Sequence, residues 1–218
     1  MTIKTKICGL KTLRDIEIVN KYLPDYIGFV FANTKRFVTD EEAYKMKRAL
    51  EPKILAVGVF VDEPIEHVLR LCEKNIIDVV QLHGNESRDY IENIKRETDK
   101  PVINAIKVQS KEQVLKEISD LADIHLFDTY KKGTLGGTGE RFDLDILHEA
   151  LKEKKLFNYF LAGGITPQNA KEILSKEVEF RKSVGNTSGF IGLDISTGVE
   201  TLGVKDEDKI RKFLGKEL

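Results

Sequence analysis

The positions best suited to chemistry stand where apolar runs give way to small-residue loops. In one such junction, Asn158-Tyr159-Phe160-Leu161-Ala162 leads into Gly163-Gly164. Ile165-Thr166-Pro167-Gln168-Asn169 then opens a helix, with Thr166 suited to the N-cap and Pro167 to the first turn. Paired glycines at a strand end let backbone amides close on an anion, and a helix start adds free N–H groups. In a second junction, Phe190-Ile191-Gly192-Leu193-Asp194-Ile195 leads into Ser196-Thr197-Gly198. A single strand–Gly–helix turn is usually a plain connection. Two in succession, last in the chain, fit the loops after strands seven and eight of a (β/α)8 barrel, which commonly hold phosphate.

Six further units should then precede them. Strand-like runs cover residues 3–8, 26–31, 54–61, 76–82, 101–108 and 124–128. Between them lie helical patterns over 13–22, from Thr39, from Asp62-Glu63-Pro64, after Ser87 and over 111–121, with another over 144–152. Thr12, Thr39 and Ser87 read as N-caps. Residues 206–218 complete an eighth helix, and no linker or compositional break divides residues 1–218. The expected fold is a single-domain α/β (β/α)8 TIM barrel, with a doubly wound open sheet as the alternative.

In such a barrel, chemistry belongs to the C-terminal strand ends. Cys8, Arg36, His83, Lys107, Asp128, Gly163, Gly164 and Ser196 occupy those positions. Alternation along strands places Lys4, Lys6 and Cys8 on one face, and Ile124, Leu126 and Asp128 on another. One thiol, one carboxylate, one guanidinium and an anion cradle are the equipment for cofactor-free proton transfer on a phosphorylated substrate. Each residue also has a plainer reading. Cys8 would then be a small hydrophobe, Asp128 a loop cap, His83 a turn residue and Arg36 a solvated loop cation. The glycine run at 133–139 reads as a linker or a mobile lid. Cys72, on an apolar helical stripe, reads as core.

Composition limits the partners. With 218 residues, 41% of them hydrophobic, the chain can fill one sizeable core. A net charge of −1 supplies no field to attract nucleic acid or an anionic membrane. No run reaches transmembrane length, and residues 1–6 lack a signal-peptide core, so a cytoplasmic protein is expected. The two cysteines and four histidines have no metal-ligand spacing, and no Ser–His–Asp set stands out. No cofactor or metal is expected.

Seven motifs in order carry a resemblance. They are Lys6-Ile7-Cys8-Gly9, Gly28-Phe29-Val30-Phe31, Val80-Gln81-Leu82-His83-Gly84, Phe127-Asp128, Gly136-Gly137-Thr138-Gly139, Leu161-Ala162-Gly163-Gly164 and Asp194-Ile195-Ser196-Thr197-Gly198-Val199-Glu200. Together they resemble the phosphoribosylanthranilate isomerases of tryptophan biosynthesis. The resemblance implies an Amadori rearrangement of N-(5-phosphoribosyl)anthranilate to 1-(2-carboxyphenylamino)-1-deoxyribulose 5-phosphate. It implies Asp128 as the acid that opens the furanose and Cys8 as the base at C2′. Arg36 would pair with the anthranilate carboxylate, and Gly163, Gly164, Ser196, Thr197 and Gly198 would hold the phosphate. Gly136, Gly137 and Gly139 would let the sixth loop close, and Gln81, His83 and Asp194 would line the pocket. Lys6, two residues back on the same face, is expected to help Cys8 ionise. The partner is a small phosphorylated substrate, and the protein a monomer or homodimer.

Two departures stand out. Thr34-Lys35 replaces a common Ser-Pro, which should loosen the second loop. Residues 176–189 form a longer connection than usual before strand eight, on the face away from chemistry. The competing readings are another phosphosugar isomerase or epimerase on the same barrel, and a non-catalytic phosphosugar-binding protein.

Overall fold

The computed structural model describes residues 3–128, 144–153, 157–185 and 189–215. Its strands and helices alternate in chain order. They are β1 (Lys4–Cys8), α1 (Leu13–Tyr22), β2 (Tyr26–Val30), α2 (Asp40–Ala49), β3 (Leu55–Phe60), α3 (Ile65–Glu73), β4 (Val79–Leu82) and α4 (Arg88–Glu97). Then follow β5 (Val102–Lys107), α5 (Lys111–Glu117), β6 (Ile124–Asp128), α6 (Leu144–Leu151), β7 (Asn158–Ala162), α7 (Ala170–Ser183) and β8 (Phe190–Ile195). A short 3₁₀ turn, Thr197–Val199, and a hairpin of β9 (Glu200–Thr201) with β10 (Val204–Lys205) precede α8 (Glu207–Phe213). Strands β1 to β8 are hydrogen-bonded in sequence order and β8 closes on β1, all parallel. This is the expected barrel.

Strand alternation divides the core in two. Leu126 and Phe160 join Val57, Val79 and Ile103 inside the barrel. Their neighbours Phe127 and Leu161 face outward and pack under the helices with Ile27, Val80 and Leu82. Because both faces of the strands are covered, a strand such as β3, Leu55–Phe60, reads as an unbroken apolar run.

The helix starts follow the capping chemistry. The Thr12 hydroxyl accepts from Asp15 N while Asp15 Oδ2 accepts from Thr12 N, and Thr39 with Glu42 repeats that reciprocal pair. Ser87 accepts from Tyr90 N. Such caps each contribute about 1 kcal/mol. At the opposite end from the loops of interest, one device recurs. Asp25, Asp78 and Asp123 each precede an even-numbered strand and accept the N–H of Thr5, Ala56 and Val102 on the strand before. Each carboxylate also meets a lysine: Lys4, Lys47 and Lys95 respectively. These pairs set the strands' entry points and leave the other rim free for chemistry.

Two expectations change. Helix α7 starts at Ala170, after a turn at 167–169 that Thr166 and Asn169 close reciprocally, with Asn169 Oδ1 accepting from Thr166 N at 2.8 Å. Thr166 therefore caps that turn, one turn ahead of the helix proper. And most of the supposed long connection from Lys176 is helix, because α7 continues to Ser183. The reason lies in Glu177 on that helix. It is buried, accepts from Tyr159 Oη at 2.7 Å and pairs with His148 at 2.7 Å, so the segment is bound to β7 and α6.

Candidate active site

Cys8 ends β1, partly exposed at the rim, and the glycine opposite it on β2 makes room for the thiol. A Cβ at Gly28 would stand 2.8 Å from Cys8 Sγ. Beneath it Lys6 is fully buried in register with Asp194 of β8, and its Nζ lies 3.1 Å from Asp194 Oδ2. Burial works against the Lys6 ammonium, yet the Asp194 carboxylate and Cys8 raise its pKa above the ordinary value.

The Cys8 thiol is itself pushed up. Crowding by protein atoms is the largest cause, Lys6 and Lys205 pull the other way, and Asp194 adds to the push. Lys6 thus acts in the expected direction but does not prevail against burial, to which Asp194 adds. In the ligand-free protein Cys8 is held as a thiol.

Asp128 ends β6 in register with Lys107 of β5, whose side chain is exposed. His83 Nε2 stands 3.7 Å from Asp128 Oδ2, and His83 Nδ1 is 3.3 Å from Gln81 Nε2. With the Gln81 amide donating to Nδ1, the neutral ring carries its proton on Nε2, toward Asp128. Gln81 Oε1 is buried without a hydrogen-bond partner among the described residues. His83 is therefore a neighbour of Asp128 and more than a turn residue.

The two small-residue loops abut. Gly163 and Gly164 have φ of 88° and 63°, a conformation that costs glycine least. Space around the missing Gly164 side chain is open, as a cradle for an anion requires. Gly198 in the next loop lies so close to the first that an added Cβ would fall 2.0 Å from Ile165 O. Ser196 Oγ donates to Cys8 O at 3.0 Å and fastens the second loop to β1.

Arg36 crosses from the β2 loop to this same loop. Its stem lies over Gly9, where a Cβ would meet Arg36 Cδ at 2.3 Å. Nε donates to Glu200 Oε1 at 2.7 Å, and Nη2 donates to Glu200 Oε2 at 3.0 Å and to Thr197 Oγ1 at 3.2 Å. Lys205 Nζ, also buried, donates to Glu200 Oε1 at 3.0 Å and to Ser196 O at 3.1 Å. Burial alone would raise the Glu200 carboxyl, but Arg36 and Lys205 bring it down to about 2. The Lys205 ammonium is pushed down by burial against the pull of Glu200. The second loop is tied as well, with Thr34 accepting from Arg36 N and Phe37 N, and Lys11 Nζ donating to Lys35 O.

The structure thus gathers Cys8, Arg36, Asp194, Ser196, Thr197 and Gly198 around β1 and β8, with Gly163 and Gly164 alongside, just past β7. Gln81, His83 and Asp128 form a second group at the ends of β4 and β6 on the same rim. Gly136, Gly137 and Gly139 lie outside the described residues. Glu200 and Lys205 were given no role from the sequence. Glu200 closes the Asp194–Glu200 motif, but nothing in the spacing ties either residue to Arg36, which is distant in the chain. Among the described residues, no group of three or more His, Cys, Asp or Glu side chains is placed to hold a metal ion, and no helix is long and apolar enough to cross a membrane.

The chain is similar to proteins of known function over almost its whole length. Residues 5–216 match the family model described as N-(5'phosphoribosyl)anthranilate (PRA) isomerase. A curated relative from Lachnoclostridium phytofermentans, an N-(5'-phosphoribosyl)anthranilate isomerase, is 48% identical over 97% of this chain and 95% of its own. A solved phosphoribosyl anthranilate isomerase from Thermotoga maritima superposes with a TM-score of 0.78 at 29% identity, covering 98% of this chain and 97% of that one. Another, solved with reduced 1-(o-carboxyphenylamino)-1-deoxyribulose 5-phosphate, gives a TM-score of 0.74 at 27% identity over 98% of this chain and 97% of its own.

Proposed function

The chain belongs to the N-(5'-phosphoribosyl)anthranilate isomerase family, and on that premise we propose how its own residues divide the reaction. It is an isomerase of tryptophan biosynthesis, converting N-(5-phosphoribosyl)anthranilate to 1-(2-carboxyphenylamino)-1-deoxyribulose 5-phosphate. Asp128, protonated in the complex, gives its proton to the furanose ring oxygen. The C1′–O bond then breaks and the nitrogen lone pair forms a C1′=N iminium.

The iminium is the electron sink. Cys8 as thiolate removes the C2′ proton, and the C–H electrons move into C1′=C2′ while nitrogen regains its lone pair. The enol so formed becomes the ketone when C1′ takes a proton and the C2′ hydroxyl loses one. Because the iminium acidifies C2′, the route calls on no metal or cofactor.

A raised Cys8 pKa suits a base that must be strong once ionised, and positive charge at the iminium favours the thiolate when substrate is bound. His83 faces the Asp128 carboxylate that remains after ring opening and can donate to it. Gly163, Gly164, Ser196, Thr197 and Gly198 hold the phosphate with backbone amides and hydroxyls, Arg36 takes the anthranilate carboxylate, and Gln81 and Asp194 line the pocket between. The protein works in the cytoplasm as a single barrel domain over 1–218, monomeric or homodimeric, without nucleic acid or membrane partners.

The observation that carries this reading is the placement of Cys8 and Asp128 on strands of one rim, beside the abutting loops at Gly164 and Gly198. Freshly generated N-(5-phosphoribosyl)anthranilate should be consumed by the wild type in the presence of a chelator, read as loss of its fluorescence. An inert protein would contradict the proposal.

A further inference from the structure

The guanidinium assigned to the substrate's carboxylate is already held by a carboxylate of the chain itself. Glu200 takes Arg36 side-on through Nε and Nη2, and among the described residues Nη1 makes no hydrogen bond. Both side chains of the ion pair are largely buried, at 19% and 4% exposure. A bidentate pair of this kind fixes the plane of the guanidinium as well as its position. Glu200 alone would also cancel the charge that Arg36 brings. Lys205 restores it: two cations around one carboxylate leave one net positive charge for one incoming carboxylate.

We infer that Glu200 is a positioning residue, which locks the Arg36 fork so that its Nη1 edge meets the ring carboxylate of the substrate, with Lys205 as its charge counterweight. Through Thr197 Oγ1, which accepts from Nη2, the same fork is referenced to the loop that holds the phosphate. The two anionic ends of the substrate are thereby gripped by one connected assembly, anchored on Gly9 and on the β9–β10 hairpin. This inference rests on the reading of Arg36 as the carboxylate ligand.

The test compares two ligands by calorimetry: reduced 1-(o-carboxyphenylamino)-1-deoxyribulose 5-phosphate and the same compound without the ring carboxylate. Glu200→Gln/Lys205→Met is the informative variant, because it removes one charge of each sign and leaves the net charge around Arg36 as it was. The wild type should prefer the carboxylated ligand by roughly tenfold or more, as suits a charge-assisted hydrogen bond. Arg36→Met should abolish that preference. The paired variant should lose most of it while binding the other ligand within about twofold of wild type. If Arg36→Met loses the preference and the paired variant keeps it, Glu200 does not position Arg36, although Arg36 still binds the carboxylate. Equal weakening of both ligands in the paired variant would reduce Glu200 to a structural role and overturn the inference. A preference that survives Arg36→Met would sink the assignment of Arg36 and this inference with it. Should the paired variant fail to fold, Glu200→Asp carries the same expectation, since it keeps the charge and withdraws it by one methylene.

Discussion

Lys6 Nζ meets Asp194 Oδ2 at 3.1 Å inside the barrel, between neighbouring strands and directly below the Cys8 thiol. Taking two charges out of water is costly, and their attraction repays it only while both are present. Asp194 Oδ1 has no hydrogen-bond partner among the described residues, so the pair stands on a single contact. Lys6→Met should therefore lose about 3–5 kcal/mol in urea unfolding, and Lys6→Met/Asp194→Asn should recover much of it. A loss below about 1 kcal/mol in the single variant would mean that water reaches the pair.

The same pair acts on the Cys8 thiol. Burial and the Asp194 carboxylate outweigh Lys6 and Lys205, so alkylation of Cys8 by iodoacetamide should keep accelerating above pH 9.0 in the ligand-free protein. Asp194→Asn should move that profile to lower pH, because one opposing charge disappears and Lys6 is released to the thiolate. A profile that does not move would show that Asp194 and Lys6 are electrically remote from Cys8.

Acid stability has two separable limbs. His125, buried among Phe127 and Phe157, has its pKa pushed from 6.5 down to about 4 by burial. Between those values the unfolded chain binds a proton that the folded chain refuses, so stability falls as pH drops from 6.5 toward 4. Glu200 holds out to about 2 where an ordinary glutamate protonates at 4.5, so it adds a second loss of about 3 kcal/mol over that lower window. His125→Phe should flatten the upper limb and Glu200→Gln the lower one in unfolding measured from pH 7 to 2.5. If both limbs persist in both variants, other groups carry the acid transition.

At the far end of the barrel, Asp78 accepts from Ala56 N at 2.8 Å and pairs with Lys47. Asp78→Ala leaves that N–H unpaired and should lower stability by about 1–3 kcal/mol. Since the residue belongs to the rim away from chemistry, kcat/KM should stay within about twofold of wild type. A large fall in kcat/KM would show that the two rims are coupled.

The barrel was legible because its signals are local. Apolar runs buried on both faces, the N-caps Thr12, Thr39 and Ser87, and the final glycine loops each follow from short stretches of chain. The start of α7 was not, because Thr166 and Asn169 pair reciprocally one turn early, and a cap residue looks alike in either place. The extent of α7 was hidden in Glu177, a charged residue that reads as solvated until Tyr159 and His148 are seen to bury it. In the site, Cys8, His83 and Asp128 could be placed from strand ends alone. Glu200 and Lys205 could not, since their relation to Arg36 exists only after β8 closes on β1 and brings distant segments together. The raised Cys8 thiol escaped for the same reason. Lys6 is a sequence neighbour, but Asp194 reaches it only through the barrel's closure.

The division of labour between Cys8 and Asp128 is tested most directly by turnover of freshly generated N-(5-phosphoribosyl)anthranilate in Cys8→Ala and Asp128→Asn, alongside binding of the product. Both variants should bind product within a few-fold of wild type and turn over at least ~100-fold more slowly, the size expected for loss of a general base or acid. If Cys8→Ala is barely slower than wild type, the base is some other group, and the account of proton transfer at C2′ is wrong.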